Sequence, residues 1–332
     1  MIINNSQVVD QTKAIERIPF KNGLIGALGL YREETVRTDA VTFDVRENSL
    51  AVLDDYLRNV ANKNGMEDAP YDIHTLAIPH YPISKVLGRE KLAGIREFGK
   101  EGQAIVAQAV SQELERQAAR HDNHAEYLKA MMTLQGKVVT THYGTIDMAT
   151  EFGVSRPTVT MTAADVLAKI REAQNLAKAG ITNGSRVNGY VLLASPELFE
   201  LIISSEDVKT AYQFSQGGGN PLRNELGDVA NGYSLFRFGN LDIIQYDDSF
   251  SDKEGNPLTV LESGKGVLLP RAELGVAFYG AASTLSGLGG VGSKRFAQTY
   301  RDPKDRYIEV ESEQSTLVVN EQFGATVEIT AG

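Results

Sequence analysis

The longest regular pattern of apolar positions along this chain lies between Gly102 and Gln135. Neither Pro nor Gly interrupts it before Gly136, and the pattern therefore predicts one helix of about 34 residues and about 50 Å. A coiled coil is the alternative, although polar Gln117, Arg120 and His121 interrupt the middle of the stripe. The apolar residues recur at steps of three and four, as on one helix face, at Val106, Val110, Leu114, Ala118, Ala125, Leu128 and Met132.

Short apolar segments between Gly239 and Ala281 predict strands separated by turn residues. They are Leu241–Tyr246, Leu258–Leu261 and Gly266–Leu269, with an acidic turn and a Gly-Asn-Pro break after the first. The stretch 191–209 predicts a buried strand followed by a helix that begins at Ser195-Pro196. Its apolar residues are helically spaced, at Leu198, Leu201 and Ile202. A further helix is predicted over Thr162–Ala179. The chain is therefore predicted to contain both helices and strands, which lie mainly in different segments of the sequence.

The order and spacing of these elements resemble the axial domain of tailed-bacteriophage major capsid proteins of the lambda-type capsid protein E family, which have the Hong Kong 97 bacteriophage fold. The resemblance covers most of the chain from about Thr35 onward and includes no catalytic motif. It implies an α+β subunit that assembles with copies of itself, as pentamers and hexamers, into an icosahedral head around double-stranded DNA. It also implies a protein without catalytic residues, metal or cofactor.

The resemblance divides the chain into an N-terminal arm (1–32), an extended loop (33–87), a peripheral domain (88–160) with the spine helix (102–135), an axial domain (161–285) and C-terminal strands (286–332). The first 30 residues mix polar residues with Pro19 and three glycines, so we expect an arm that becomes ordered only against neighbouring subunits. Two strand-like arms, Thr35–Val45 and Asp72–Ile78, cannot form a core alone. We therefore expect the loop to lie across an adjacent subunit. Three short strands are predicted from Arg306 onward, beside the spine helix.

Charge and composition narrow the function further. The formal net charge of -10 argues against a dedicated nucleic-acid binder, because such affinity comes mainly from cations that displace counterions. An acidic shell would instead repel packaged DNA, and its contact with that DNA would not depend on base sequence. There is no Cys, hence no disulfide or thiolate metal site. The apolar runs are too short for a membrane span, so we expect a soluble protein made in the host cytoplasm and built into the virion.

Two sets of residues are candidates for subunit packing. Charges of both signs surround Pro303, which ordinarily indicates a solvated turn. In the resembled family a peripheral loop here meets its symmetry mates at local threefold axes, which implies intersubunit contacts by Arg301, Asp302, Lys304, Asp305 and Arg306. On the spine helix we expect packing by Val106, Val110, Leu114, Leu128 and Met132.

Other patterns give weaker alternatives. The glycine-rich stretch 287–294 is superficially similar to a phosphate loop, but Ser293 precedes Lys294 rather than following it, and a flexible joint is the simpler interpretation. His121 and His124 lie three apart but lack a third metal ligand, which favours a solvated or interface-facing helix surface. No Gly-x-Ser-x-Gly elbow supports a hydrolase.

Two competing functions therefore stay open. The first is an encapsulin-like compartment, which has the same fold but encloses protein cargo. The second is a phosphate-binding enzyme that uses the glycine-rich stretch. The capsid interpretation implies portal and scaffolding proteins as partners, with a decoration protein as a further candidate and no membrane.

Overall fold

The computed structural model describes residues 8–21, 23–46, 71–90, 102–182, 184–214, 232–284, 287 and 289–332. Its helices are α1 Thr12–Glu16, α2 Leu24–Ala27, α3 Gly102–Leu134, α4 Met148–Phe152, α5 Val166–Ala179, α6 Pro196–Ser204 and α7 Glu206–Phe214. Its strands are β1 Val8–Asp10, β2 Tyr31–Thr35, β3 Ala40–Arg46, β4 Tyr71–Ala77, β5 His80–Gly88, β6 Lys137–Thr140, β7 Gly144–Asp147, β8 Thr158–Met161, β9 Tyr190–Ala194, β10 Leu235–Phe238, β11 Leu241–Gln245, β12 Phe250–Ser251, β13 Pro257–Leu258, β14 Lys265–Pro270, β15 Gly275–Tyr279, β16 Phe296–Arg301, β17 Tyr307–Asn320 and β18 Val327–Ala331.

The spine helix, α3, has 33 residues and ends one residue before the predicted boundary. Gly136 follows it with a left-handed φ of 73°, and its amide donates to the carbonyl of Met131 at 3.0 Å. This is a glycine-terminated helix end, in which the backbone reverses at little steric cost. The β6–β7 hairpin comes next, with Lys137 paired to Asp147 and Thr140 to Gly144.

The first sheet has the order β1-β16-β17-β15-β2, and β5 also pairs with β17. β17 is its central element because its first half pairs with both β16 and β5, while its second half pairs with β15. The sequence predicts three short strands after Arg306, whereas the structure has one 14-residue strand and then β18. Glu313 and Gln314 look like breaks in a strand but are buried in β17.

The second sheet has the order β10-β11-β9-β14-β18-β8. β9 reads Tyr-Val-Leu-Leu-Ala and is buried throughout, as expected of a central strand with both faces covered. β18 lies between β14 and β8, so residues 327–331 belong to this sheet and not, as predicted, beside the spine helix. Helices α5 and α6 cover one face of the sheet with apolar residues that include Val166, Ile170, Leu198 and Ile202.

One apolar core joins the spine helix to both sheets. It includes Leu128 and Met132 of α3, Val276 and Val319 of the first sheet, and Leu193 of the second. Because the two sheets and the helix bury side chains in the same cluster, the described residues form one continuous packed subunit.

The N-terminal segment differs from the expectation of an arm ordered only by neighbours. β1 pairs with β16, and Ile15 of α1 is fully buried against the spine helix and β17. In α2, Leu24 and Ile25 are 2% and 0% exposed. These apolar residues are too widely spaced to give a periodic signal, and residues 8–35 therefore pack largely on their own subunit.

The predicted extended loop is also shorter in the structure. β2 pairs in parallel with β15, and β5 pairs with β17, so both ends of the segment 33–87 belong to the first sheet. Between them, β3 and β4 form a two-stranded antiparallel ribbon, from Ala40 paired with Ala77 to Arg46 paired with Tyr71. The tip of the predicted loop, residues 47–70, lies outside the described residues.

Candidate assembly surfaces

The apolar stripe of the spine helix faces the subunit interior. Leu114, Leu128 and Met132 are 3%, 3% and 0% exposed. Val106 and Val110 are half-buried, and they lie toward the N-terminal end of the helix. The stripe therefore packs against this chain's own sheets, most closely over its C-terminal half.

Polar residues in the same helix face β17 rather than solvent. Gln117 donates a hydrogen bond from Nε2 to the carbonyl of Val310 at 3.1 Å, and His121 Nε2 lies 2.9 Å from Ser312 Oγ. Burial lowers the pKa of His121 to about 4. The interpretation of His121 as part of a solvated or interface-facing surface is thus wrong, because its side chain closes the interface between helix and sheet.

His124 does not form a metal pair with His121. Its ring packs edge-on against Tyr81 at 4.1 Å between centroids, and burial lowers its pKa to about 4. Across the described residues there is no group of three His, Cys, Asp or Glu side chains arranged to hold a metal ion.

A second face of the spine helix holds the N-terminal segment by polar contacts. Asp122 Oδ2 accepts a hydrogen bond from the backbone amide of Lys21 at 3.0 Å. Glu126 Oε1 accepts from the amide of Ile25 at 2.6 Å, and Glu126 Oε2 accepts from that of Gly26 at 3.0 Å, so this carboxylate caps the first turn of α2. Neither residue stands out in the sequence, because carboxylates at positions i and i+4 of a helix are typical of a solvated face.

Glu33 connects that segment to the glycine-rich stretch. It accepts from Lys129 Nζ at 3.4 Å and is ion-paired with Lys294. Burial acts to raise the pKa of Glu33, but the hydrogen bond and charge of Lys294, with the charge of Lys129, hold it below its ordinary value. Lys294 also lies over the ring of Phe20, at 4.7 Å from the centroid. Its ammonium group is therefore engaged within the subunit and not presented to a phosphate.

Arg156 joins the end of the spine helix to the second sheet. Its guanidinium group donates to the carbonyls of Thr133 at 2.7 Å and of Leu134, and to Thr326 Oγ1 at 3.0 Å. It also lies over the ring of Phe323 at 4.7 Å. The carbonyls at a helix end have no partner within the helix, so this arginine supplies donors to them from the irregular segment that leads into β8.

The charged turn at 301–306 pairs its charges internally. Arg301 Nε donates to Asp305 Oδ1 at 2.7 Å, and the amide of Arg306 donates to Asp302 Oδ2 at 3.2 Å. Asp305 has a φ of 57°, which a short polar side chain tolerates better than most. Lys304 is exposed at the tip, with no ion-pair partner among the residues that the structure describes.

The ribbon of β3 and β4 is anchored to the subunit at its base. His74 Nδ1 lies 3.2 Å from Glu151 Oε2 of α4, and the rings of Phe43 and Phe278 meet edge-on at 5.6 Å. Ile73, farther along β4, is 61% exposed. A large apolar side chain exposed on a two-stranded ribbon marks a surface that another element can cover.

The described chain thus combines two six-stranded sheets, a 33-residue spine helix and a two-stranded ribbon that leaves Ile73 exposed. The sequence profile described as phage major capsid protein E matches residues 7–331. The chain therefore belongs to the phage major capsid protein E family, which confirms the resemblance found in the sequence. It is a structural capsid protein and not an enzyme, so the phosphate-binding alternative is wrong.

Individual relatives agree with this assignment. The chain is 26% identical over 334 residues to the major capsid protein of Pseudomonas phage KPP10, covering 95% of this chain and 94% of the relative. A prophage capsid protein from E. coli CFT073 has a similar structure, with a TM-score of 0.67 at 13% identity, over 98% of this chain and 100% of that one. The mature capsid of bacteriophage PhiM1 gives a TM-score of 0.51 at 13% identity, over 94% and 87% of the two chains. The structural likenesses confirm the predicted fold. None of the described helices is long and apolar enough to span a membrane.

Proposed function

We propose that this major capsid protein assembles as pentamers and hexamers that tile an icosahedral head and enclose double-stranded DNA. The observation that carries the proposal is the family match over residues 7–331, together with a ribbon that packs on its own subunit through Phe43 and Leu76 but leaves Ile73 exposed. A free two-stranded ribbon gains too little burial to offset its ordering entropy. A second copy of the chain would supply the missing burial.

We propose that the subunit divides along its two sheets, which differs from the predicted bounds because β15 (275–279) joins the first sheet and β18 (327–331) joins the second. The peripheral domain comprises the spine helix and the first sheet, the axial domain comprises the second sheet with α5 to α7, and the extended loop is centred on the β3–β4 ribbon. The net charge of -10 supports a lining that holds DNA weakly and without sequence specificity. Portal and scaffolding proteins are the further partners, a decoration protein is a candidate, and synthesis takes place in the host cytoplasm.

The charged turn is proposed as a contact at local threefold axes. Its internal pairs, Arg301 with Asp305 and Arg306 with Asp302, fix the shape of the turn. Lys304 is then the cation available to a symmetry mate. Lys304→Glu is expected to lower shell yield, whereas an exposed-lysine control far from the turn, Lys253→Glu, is not. Equal yields from both variants would contradict the threefold contact.

Electron microscopy of the purified full chain tests the shell directly. We expect rings or closed shells, and a monodisperse monomer at high concentration would refute the proposal. Nucleic-acid extraction from particles made during infection separates a DNA-filled head from a compartment with protein cargo.

The ribbon is tested by Ile73→Glu, which places a charge on the exposed apolar site of β4. Shell yield should fall while the circular dichroism spectrum of the subunit stays unchanged, because Ile73 is 61% exposed in the isolated chain. Val139→Glu on β6, at a valine that is 69% exposed, is the matched control. Normal shells from Ile73→Glu would show that the ribbon has no assembly role at this position.

A further inference from the structure

The side of β17 that faces the spine helix is polar over part of its length. Because successive side chains of a strand alternate, Ser312, Gln314 and Thr316 lie on the same side of β17. Ser312 Oγ lies 2.9 Å from Nε2 of His121 in α3, so this side is the one against the helix. All three strand residues are 1% exposed or less. We call the contact between these residues and the spine helix the polar seam.

Three buried oxygen atoms of the polar seam have no hydrogen-bond partner among the described residues. They are Oε1 of Gln117, Oε1 of Gln314 and Oγ1 of Thr316. The amide orientations are fixed, because Gln117 Nε2 donates to the carbonyl of Val310 and Gln314 Nε2 donates to that of Lys294, both at 3.1 Å. Exchanging the two ends of either amide would place two acceptors together. Since buried polar atoms are nearly always paired in native proteins, each oxygen indicates a donor from outside the described chain.

Arg295 has the opposite requirement at the same seam. It directly precedes β16, whose Phe296 pairs with Glu313, and it therefore lies beside Gln314 of the neighbouring strand. Its Nη2 donates to the carbonyl of Ile18 at 3.3 Å, whereas its buried Nη1 has no acceptor among the described residues. A water molecule both donates and accepts hydrogen bonds. One water between Gln314 Oε1 and Arg295 Nη1 would satisfy both atoms.

A small cavity lies at the other end of the polar seam. Its volume of about 10 Å³ is close to the least that one water molecule needs. Thr316 and Pro79 line it, together with the apolar side chains of Leu128 and Met132. The Pro79 carbonyl accepts from the Thr316 amide at 3.1 Å and keeps a second lone pair. The cavity therefore adjoins two polar atoms with capacity for a further hydrogen bond, this carbonyl and Thr316 Oγ1.

We propose that the polar seam binds ordered water, with one molecule in the cavity at Thr316 and another between Gln314 and Arg295. The spine helix is then held on β17 through water over its middle. Direct apolar packing holds its C-terminal end, where Leu128 and Met132 belong to the main core. In a dry seam the unpaired oxygen atoms would instead lower the stability of the subunit.

Thr316→Val in the unassembled subunit distinguishes a hydrated seam from a dry one, because valine has nearly the shape of threonine without the hydroxyl. In a hydrated seam the water loses a partner, so the urea midpoint should fall by about 0.3 M. Magnetic relaxation dispersion of the solvent oxygen should also count about one long-lived internal water fewer. Thr133→Val is the matched control, because this buried hydroxyl donates to the carbonyl of Lys129 at 2.7 Å. It should lower the urea midpoint without changing the number of waters.

Gln314→Met tests the second water position. Methionine keeps the length of the side chain but removes the amide oxygen, so the number of long-lived waters should again fall by about one. A raised urea midpoint for Thr316→Val would overturn the proposal, because it would show that the hydroxyl is buried without any partner. An unchanged number of waters in both variants would overturn it as well.

Discussion

Replacing Arg156 by Ala is expected to weaken the joint between the end of the spine helix and the second sheet. The guanidinium group contacts the carbonyls of Thr133 and Leu134, the hydroxyl of Thr326 and the ring of Phe323. Burial lowers the pKa of Arg156 to about 10, so the group is charged under physiological conditions. Its removal takes away the partners of two helix-end carbonyls and one face of an aromatic ring.

The expected loss in the free energy of unfolding follows from these contacts. Each helix carbonyl left buried without a donor costs about 1–3 kcal/mol. The lost stacking on Phe323 adds about 0.5–2 kcal/mol. Water reaching the vacated space recovers part of the sum, and the net loss should be about 3–5 kcal/mol, a large fraction of the stability of a typical domain. Arg156→Lys keeps the charge but not the planar fork, and should lose about half as much.

Urea unfolding of the unassembled subunit, followed by circular dichroism, measures this loss. Arg171→Ala, at an exposed arginine of α5, is the control and should change stability by about 0.5 kcal/mol or less. If Arg156→Ala and Arg171→Ala unfold at the same urea concentration, the joint between helix and sheet does not depend on this side chain.

Three further substitutions test the buried stripe of the spine helix, the turn that ends it and the protonation of its buried histidine. Leu114→Asp buries an unpaired charge and should leave the chain insoluble, whereas Val139→Asp at an exposed valine should not; soluble, shell-forming Leu114→Asp would mean that the stripe is misassigned. Gly136→Ala should cost about 2–4 kcal/mol, because φ is 73° and a Cβ would lie 2.1 Å from the Phe323 ring, and thermal unfolding at an unchanged temperature would contradict this. Burial depresses the pKa of His121 from 6.5 to about 4. Its neutral imidazole therefore contributes about 3 kcal/mol to the free energy of unfolding above pH 6.5, and this contribution is lost as pH falls toward 4. Urea unfolding at a series of pH values should therefore show a smaller loss of stability between pH 6.5 and pH 4 for His121→Gln than for the unchanged protein. Equal losses would argue against a buried neutral imidazole.

The sequence was sufficient to predict those elements whose stabilising contacts join residues that are close together in the chain. Ser195 caps α6, with Pro196 at the first helical position, and its side chain accepts from the amide of Leu198. The spine helix was predicted to within one residue because no Gly or Pro interrupts its interior. Such elements depend on caps and periodicity, which are written in consecutive residues.

Other elements depend on contacts that lie far apart in the sequence. The helix predicted to begin after Thr162 begins instead at Val166, because the Asp165 carboxylate accepts hydrogen bonds from the amide and hydroxyl of Thr162 and holds a turn there. In the sequence Glu126 resembles any other carboxylate of a long helix. Its role as the cap of α2 becomes visible only when the fold brings the amides of Ile25 and Gly26 to it. Likewise β17 was divided at its polar residues, because the partners that bury Glu313 come from other parts of the chain, among them the amide of Ser283.

The position of β18 has a consequence for how complete a subunit must be before it joins a shell. β8 pairs only with β18 in its sheet, and β14 uses β18 on the side away from β9. A chain interrupted before Val327 would leave β8 without its strand partner and β14 with an open edge. Open strand edges favour aggregation over ordered pairing. The six-stranded order of the second sheet therefore depends on residues 327–331 as much as on the strands far before them in the chain.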